Sequence, residues 1–232
     1  MFDFNPLYLI LLVPMFLAWW SQAKVRQIYE KYSNQPNRRG YNGVDIARRL
    51  FVHYGLTDIR IERTAGYLTD HYDPRTNILR LSDGVANGRS ITSLGIVAHE
   101  VGHAAQDAQN YRFMRLRTFL AQRVGQVAGW SSIAFIGGWL LGIPVLMGLS
   151  GVILAGMLIF SLITLPVERN ASDRALKSLE ATGLALAEER EGVRQVLRAA
   201  AFTYLAGLAQ QLGRFLFFVV TVALAKGFIH PA

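Results

Sequence analysis

The chain has 232 residues, no cysteine, 52% hydrophobic residues and a formal net charge of +8. Without cysteine it has neither a disulfide framework nor a thiolate ligand, so a metal site would have to use histidine and carboxylate side chains. The hydrophobic residues are concentrated in three blocks, and many basic residues adjoin them. That placement is typical of a membrane protein that contacts anionic lipid headgroups, and it argues against a nucleic-acid-binding protein.

The first hydrophobic block, residues 7–23, contains 17 residues without a charge. This is about the minimum length of a tilted transmembrane helix. Trp19 and Trp20 lie near its end, as is typical of the membrane interface. Basic residues follow it, whereas the only charge before it is negative. The positive-inside rule then predicts that the N-terminus of residues 1–23 faces outward and that residues 24–123 are cytoplasmic.

The region that follows has the patterns of both helix and strand. Residues 40–54 carry apolar side chains at helical spacing. Residues 59–64 and 76–82 alternate between apolar and polar side chains, which predicts two strands of a small sheet. The intervening residues 68–75 have the composition of a polar turn, and residues 82–84 of a second one.

The next predicted helix carries the most informative motif of the chain. Ser90 is its candidate N-cap, and the helix extends over residues 91 to about 109. His99 and His103 are one helical turn apart on the same face, with Glu100 between them. This H-E-x-x-H spacing allows two imidazoles to bind one zinc ion while the carboxylate contacts the metal-bound water, so it predicts a zinc hydrolase of the zincin class.

Catalytic zinc takes three protein ligands, so one more residue is needed. A metzincin would have its third ligand soon after the motif, but the corresponding positions hold Gln106 and Gln109. The third ligand must therefore come from elsewhere in the sequence.

Residues 124–165 form an uncharged run of 42 residues, interrupted by Gly142 and Pro144. It divides into two predicted spans of about 18 and 21 residues, each long enough to cross a bilayer. Because two spans return the chain to its starting side, the hairpin would place residues 166–212 in the cytoplasm.

Pro166 fits the first turn of a new helix, and an amphipathic helix is expected over residues 188–212. Residues 213–229 form a last apolar segment that either crosses the membrane or lies in its interface. Glu168 is the best candidate for the third zinc ligand, because the hairpin returns it to the side of the two histidines. Asn170 and Asp173, within two turns, are candidates for hydrogen bonds that orient a ligand.

Six segments resemble the YugP family of bacterial membrane zinc metallopeptidases. They are, in chain order, Leu68-Thr-Asp-His-Tyr-Asp-Pro74, Leu79-Arg-Leu-Ser82, Gly88-Arg-Ser-Ile91, Ala98-His-Glu-Val-Gly-His-Ala104, Leu165-Pro-Val-Glu168 and Ala200-Ala-Phe-Thr-Tyr204. The resemblance implies one Zn²⁺ in a multi-pass protein of the bacterial plasma (inner) membrane.

The family in turn resembles the HtpX and CAAX-prenyl-protease group of gluzincins. That likeness implies a glutamate ligand on the helix after the hairpin and an active site that faces the cytoplasm. In that group an aspartate follows the glutamate ligand by four residues. Here Ser172 has that place and Asp173 comes one later.

In this interpretation Glu100 is the general base that takes a proton from the zinc-bound water and passes it to the leaving amine. His71 and Tyr72 are candidates to donate hydrogen bonds to the oxyanion or to the substrate backbone. Residues 77–82 are expected to form an edge strand that pairs with an extended peptide substrate.

The sequence thus predicts a mainly α membrane protein. A zincin-like α+β region with a small sheet is combined with three or four transmembrane helices, two of which form a hairpin between the metal-ligand helices. Its expected activity is endopeptidase cleavage of unfolded or membrane-associated protein segments. Two alternatives remain, a site-2-type intramembrane protease and a zinc-binding membrane scaffold without turnover. Neither the physiological substrate nor the oligomeric state is predicted.

Overall fold

The computed structural model describes residues 8–229, with side chains as far as residue 224, and it is mostly helical. Residue 7, where the first predicted span begins, lies outside the described residues. The elements are α1 (Leu9–Ser33), α2 (Gly43–Tyr54), β1 (Arg60–Thr64), β2 (His71–Asp73), β3 (Ile78–Ser82), α3 (Asp83–Asn87), α4 (Ile91–Ala108), α5 (Arg112–Val127), α6 (Trp130–Leu140), α7 (Pro144–Ala181) and α8 (Arg190–Ile229).

The chain divides into two compact units. One, the helical unit, comprises the described residues up to 21 together with residues 116–165 and 203–229. The other, the mixed unit, comprises residues 22–115 and 166–202, and it contains the sheet.

The sheet of the mixed unit has three strands in the order β1-β3-β2. β1 pairs with β3 in parallel, whereas β2 pairs with it antiparallel. The predicted strands 59–64 and 76–82 are confirmed as β1 and β3 with slightly shorter bounds. The prediction of a plain turn over residues 68–75 was wrong, because its middle forms β2.

Two further expectations for this region were also wrong. The turn predicted at residues 82–84 is the start of the short helix α3. The strand predicted to be an edge for a substrate is β3, which has a neighbour on both sides. Its backbone groups are therefore taken by the sheet itself, and the strands with an open edge are β1 and β2.

The core of the mixed unit joins the sheet to α2, α4 and the parts of α7 and α8 that belong to this unit. Its largest fully buried side chains are Ile46, Leu50, Leu79, Leu81, Val85, Leu94, Val97, Val101 and Leu179. The apolar stripe predicted over residues 40–54 forms the face of α2 that packs into this core. The helix begins at an Asn42–Asp45 capping box. The prediction of a helix over residues 91 to about 109 is confirmed by α4.

Among the described residues, α7 and α8 are the two helices that are long and apolar enough to cross a membrane, and each has residues in both units. In the most apolar 18-residue stretch of α7 only 6% is buried, and in that of α8 only 11%. A core helix of a soluble protein would be mostly buried, so this exposure indicates a lipid-facing surface. The helices pack where side chains are small, since a Cβ on Gly151 of α7 would lie 2.6 Å from the ring of Phe218 in α8.

The sequence misplaced several helix boundaries. Pro166 does not begin a helix, because α7 continues through it without a break. The predicted helix 188–212 and the apolar segment 213–229 are one continuous helix, α8. A proline removes one backbone hydrogen bond, but a long helix that packs on both sides of it remains intact.

The first arm of the predicted hairpin is also interrupted. It consists of the end of α5 and the 11-residue helix α6, with a break at residues 128–129. An 11-residue helix rises only about 16 Å, roughly half of a bilayer core. The count of three or four transmembrane helices therefore stays a prediction.

Candidate metal centre and active site

The site begins with α4, which Ser90 caps by accepting a hydrogen bond from the Ser93 N–H at 3.1 Å. The helix is buried along most of its length. His99 and His103 are 6% and 5% exposed, whereas Glu100 between them is partly exposed. Both imidazoles therefore point into protein, on the face that α4 presents to α7.

A close helix contact brings α7 to this face. A Cβ on Gly102 would lie 2.7 Å from the carbonyl oxygen of Ala171, so only glycine allows the two backbones to approach this closely. Ala171 is one turn beyond Glu168 on α7. Gly102 thus places the glutamate opposite the histidines.

The three side chains converge. The Nε2 atoms of His99 and His103 lie 3.1 Å and 3.3 Å from Oε2 of Glu168. Glu168 is only 3% exposed. Among the described residues, these three form the one group of histidine and acidic side chains whose possible ligand atoms all lie within 4.8 Å of one another.

The chemistry and spacing of this group suit zinc. Two imidazole nitrogens and one carboxylate oxygen are the ligand set of a catalytic zinc site that leaves a fourth position for water. Tetrahedral bonds of about 2.0–2.1 Å place ligand atoms about 3.3 Å apart, close to the separations seen here. The residues present therefore fit a zinc ion.

Each imidazole also has a hydrogen-bond partner at Nδ1, the ring nitrogen that does not face Glu168. Nδ1 of His99 lies 3.2 Å from Oγ of Ser172, and Nδ1 of His103 lies 3.0 Å from Oε1 of Gln106. Because these bonds occupy Nδ1, both rings present Nε2 to Glu168.

The residues predicted to orient the ligands are placed differently. Asn170 contacts Gln106 rather than an imidazole, with Gln106 Nε2 donating to Oδ1 of Asn170 at 2.9 Å. Asp173 is exposed, beside His53 and Lys177 in a shallow groove. The residue that contacts His99 is Ser172 and not the candidate Asp173.

Sequence reasoning missed the roles of Ser172 and Gln106. For each residue, its position in the sequence could have indicated the role. Ser172 is four residues after Glu168, where the resemblance places an aspartate, and Gln106 follows His103 by three residues on the same helical face.

Glu100 is held by the sheet. The backbone N–H of Tyr72, in strand β2, donates to Oε2 of Glu100 at 3.0 Å. Although Glu100 as a residue is partly exposed, its carboxyl group is buried, and this burial raises the pKa of Glu100 to about 7. The His99 charge and the Tyr72 hydrogen bond lower the pKa, whereas the Glu168 charge raises it.

The side chains of Tyr72 and His71 point to other partners. The Tyr72 hydroxyl lies 2.9 Å from Oδ1 of Asn77 and 3.0 Å from Oδ2 of Asp107. Burial and the Asp107 charge raise the pKa of Tyr72, so this hydroxyl stays protonated. His71 is exposed, and its Nδ1 lies 2.8 Å from the carbonyl oxygen of Thr69. The oxyanion role of both residues stays a prediction.

Comparison with known proteins defines the class to which this site belongs. The model of a family described as "Putative neutral zinc metallopeptidase" matches residues 7–223, so the chain belongs to that family. Its similarity extends to a protein of Bacillus subtilis (strain 168) called "Putative membrane protease YugP". The two are 41% identical over 204 residues, which cover 88% of this chain and 91% of the relative. No solved structure matches the chain.

Together with the two apolar helices α7 and α8, the name of this relative indicates a membrane protein. The family supports a metallopeptidase acting on peptide or protein substrate.

Proposed function

We propose that the chain is a zinc-dependent endopeptidase with one Zn²⁺ held by His99, His103 and Glu168. The observation that carries this proposal is the convergence of two Nε2 atoms and one carboxylate oxygen next to a further glutamate, Glu100, on the same turn of α4. A structural zinc site would not need that glutamate, since zinc binding alone requires no base.

In the proposed mechanism, a bound zinc ion supplies the Lewis acid that polarises the scissile carbonyl and lowers the pKa of the attacking water. Glu100 takes a proton from that water and delivers it to the leaving amine nitrogen. The Tyr72 N–H fixes the carboxylate of Glu100 by binding Oε2. Ser172 and Gln106 hold the two imidazoles so that their Nε2 atoms stay directed at the metal position.

The proposed substrate is an extended peptide from an unfolded or membrane-associated protein. Two observations support a substrate strand beside β2. This strand has an open edge in the described sheet and lies beside Glu100; because Glu100 already binds the Tyr72 N–H, a substrate would pair with the remaining backbone groups of that edge. Backbone pairing at an open edge requires an extended segment but little side-chain specificity.

We further propose a multi-pass protein of the bacterial plasma membrane with the metal centre in the cytoplasm. The basic residues that follow the first apolar block support this orientation by the positive-inside rule. An even number of crossings between α4 and residue 166 is required, because all three ligands belong to one mixed unit.

No observation favours the two alternative functions. A site-2-type protease needs its metal helix within a membrane span, whereas α4 packs in the core of the mixed unit beside a sheet. The deciding experiment uses the full-length protein, purified in detergent and loaded with zinc. It should cleave unfolded casein, lose this activity when zinc is chelated, and regain it when zinc returns. Stable casein in the presence of bound zinc would contradict the proposal and favour a scaffold.

A further inference from the structure

Gln106 is completely buried near the end of α4 and joins both halves of the metal centre. Its Oε1 lies 3.0 Å from Nδ1 of His103. Its Nε2 donates to the carbonyl oxygen of Val167 at 2.8 Å and to Oδ1 of Asn170 at 2.9 Å. One amide thus contacts a candidate ligand on α4 and the residue that precedes Glu168 on α7.

The partners of Gln106 determine which way its amide group points. The Val167 carbonyl can only accept a hydrogen bond, and of the two amide ends only Nε2 can donate. Nε2 must therefore face α7, which leaves Oε1 facing His103. Because Oε1 can only accept, Nδ1 of His103 must carry the ring proton.

Asn170 is fixed in the same way from its other side. Arg174 donates from Nε to Oδ1 of Asn170 at 2.7 Å, and its guanidinium also donates to Oε1 of Gln109 at 2.7 Å. A guanidinium cannot accept, so Asn170 cannot turn its NH₂ group toward Arg174. Its oxygen stays available to Gln106.

We propose that Gln106 is a positioning residue that holds His103 as the Nδ1–H tautomer and so leaves Nε2 free for the zinc ion. Val167, Asn170 and Arg174 fix the direction of the Gln106 amide. The inference rests on the metal centre of the proposed function but not on peptide hydrolysis. The same amide also ties α4 to α7 next to Glu168, so its loss affects both the ring orientation and the distance to the carboxylate.

The first test compares zinc affinity in two glutamine variants of the full-length protein in detergent. Gln106→Met keeps the side-chain volume but removes every polar contact, and we expect the zinc Kd to rise about 10–100-fold, as for other residues that orient a metal ligand. Gln109→Met is the matched control, since it changes the same residue type at the exposed C-terminal end of the same helix. Its Kd should equal that of the wild type. An unchanged Kd in Gln106→Met would overturn the proposal.

Co²⁺ replaces zinc to report the geometry at the metal. Gln106→Met should weaken and shift the visible absorption bands of the bound Co²⁺, whereas Gln109→Met should leave them unchanged. A loss of stability alone would lower the amount of folded protein but would not alter the shape of these bands. Identical spectra in both variants would contradict a positioning role.

A second pair of variants remains informative if Gln106→Met does not fold. Asn170→Asp keeps an oxygen facing both Gln106 and Arg174, so zinc affinity should be retained. Asn170→Leu removes the acceptor and should weaken zinc binding. Equal affinities in the two variants would show that the network does not reach the metal.

The tautomer is measured directly in the wild-type protein. With ¹⁵N-labelled histidine and bound zinc, the long-range ¹H–¹⁵N spectrum should show His103 with a protonated Nδ1 and a metal-bound Nε2. A metal-bound Nδ1 would refute the inference. If the tautomer and the affinity changes are as expected but casein remains intact, the peptidase function fails and the positioning role stands. If casein is cleaved but Gln106→Met binds zinc normally, the positioning role fails alone.

Discussion

The backbone N–H of Tyr72 donates to Oε2 of Glu100 at 3.0 Å, so a strand fixes the proposed general base. The Tyr72 hydroxyl lies 3.0 Å from Oδ2 of Asp107, which follows Glu100 by two helical turns on α4. Tyr72 therefore binds α4 at two points and links the short strand β2 to the metal helix.

Glu100→Gln tests the general base. The amide keeps the size of the side chain and an oxygen for the Tyr72 N–H, so zinc content and fold should be unchanged. Casein hydrolysis should fall by about 10²–10⁴-fold, because a neutral amide cannot accept the proton of the attacking water. Activity is measured at equal zinc occupancy. Substantial hydrolysis in this variant would exclude the proposed mechanism.

Glu168→Ala tests the third ligand. Removing the carboxylate that contacts both imidazoles should lower zinc content sharply, measured by atomic emission on the purified protein. Asp173→Ala is the control, since this carboxylate is exposed on the same helix and should be dispensable. Full zinc occupancy in Glu168→Ala would place the third ligand elsewhere.

Tyr72→Phe separates two roles of this residue. The substitution removes the hydroxyl bonds to Asn77 and Asp107 but keeps the backbone N–H that binds Glu100. We expect the free energy of unfolding of the mixed unit to fall by about 1 kcal/mol, while kcat changes little. A loss of kcat of about 10²-fold or more would instead support the oxyanion role predicted from the sequence.

Gly102→Ala tests the close approach of α4 and α7. The new methyl group would lie 2.7 Å from the carbonyl oxygen of Ala171, so the helices must separate. We expect a loss of stability of about 1–3 kcal/mol together with weaker zinc binding. Gly125→Ala, in α5, is the matched control, because its Cβ would meet nothing within 4 Å. Normal zinc affinity in Gly102→Ala would show that this contact does not set the ligand spacing.

The proposed topology is tested with single cysteines in this naturally cysteine-free chain. Asn34, Gln109 and Ala181 are exposed positions of the mixed unit. The first two lie between the first proposed span and the hairpin, and Ala181 follows the hairpin. Each cysteine should resist a membrane-impermeant thiol reagent in intact cells and react after lysis. Labelling of any of the three in intact cells would contradict a cytoplasmic metal centre.

The sequence determined the features of this protein that depend on neighbouring residues. The i and i+4 spacing of His99 and His103 defines one helical face wherever the helix lies, so the motif and its helix could be predicted locally. Composition alone located the long apolar segments. Glu168 could be chosen because an even number of crossings, together with a family resemblance, restricted the possible carboxylates.

Contacts between distant segments could be decided only by the tertiary structure. Strand β2 exists because His71–Asp73 pairs with β3, and no local pattern distinguishes those three residues from a turn. Whether Pro166 begins a helix or lies within one depends on the packing around it. The network from His103 through Gln106 to Asn170 likewise joins residues on two different helices, with Gln106 and Asn170 64 positions apart, so its hydrogen bonds appear only when α4 meets α7.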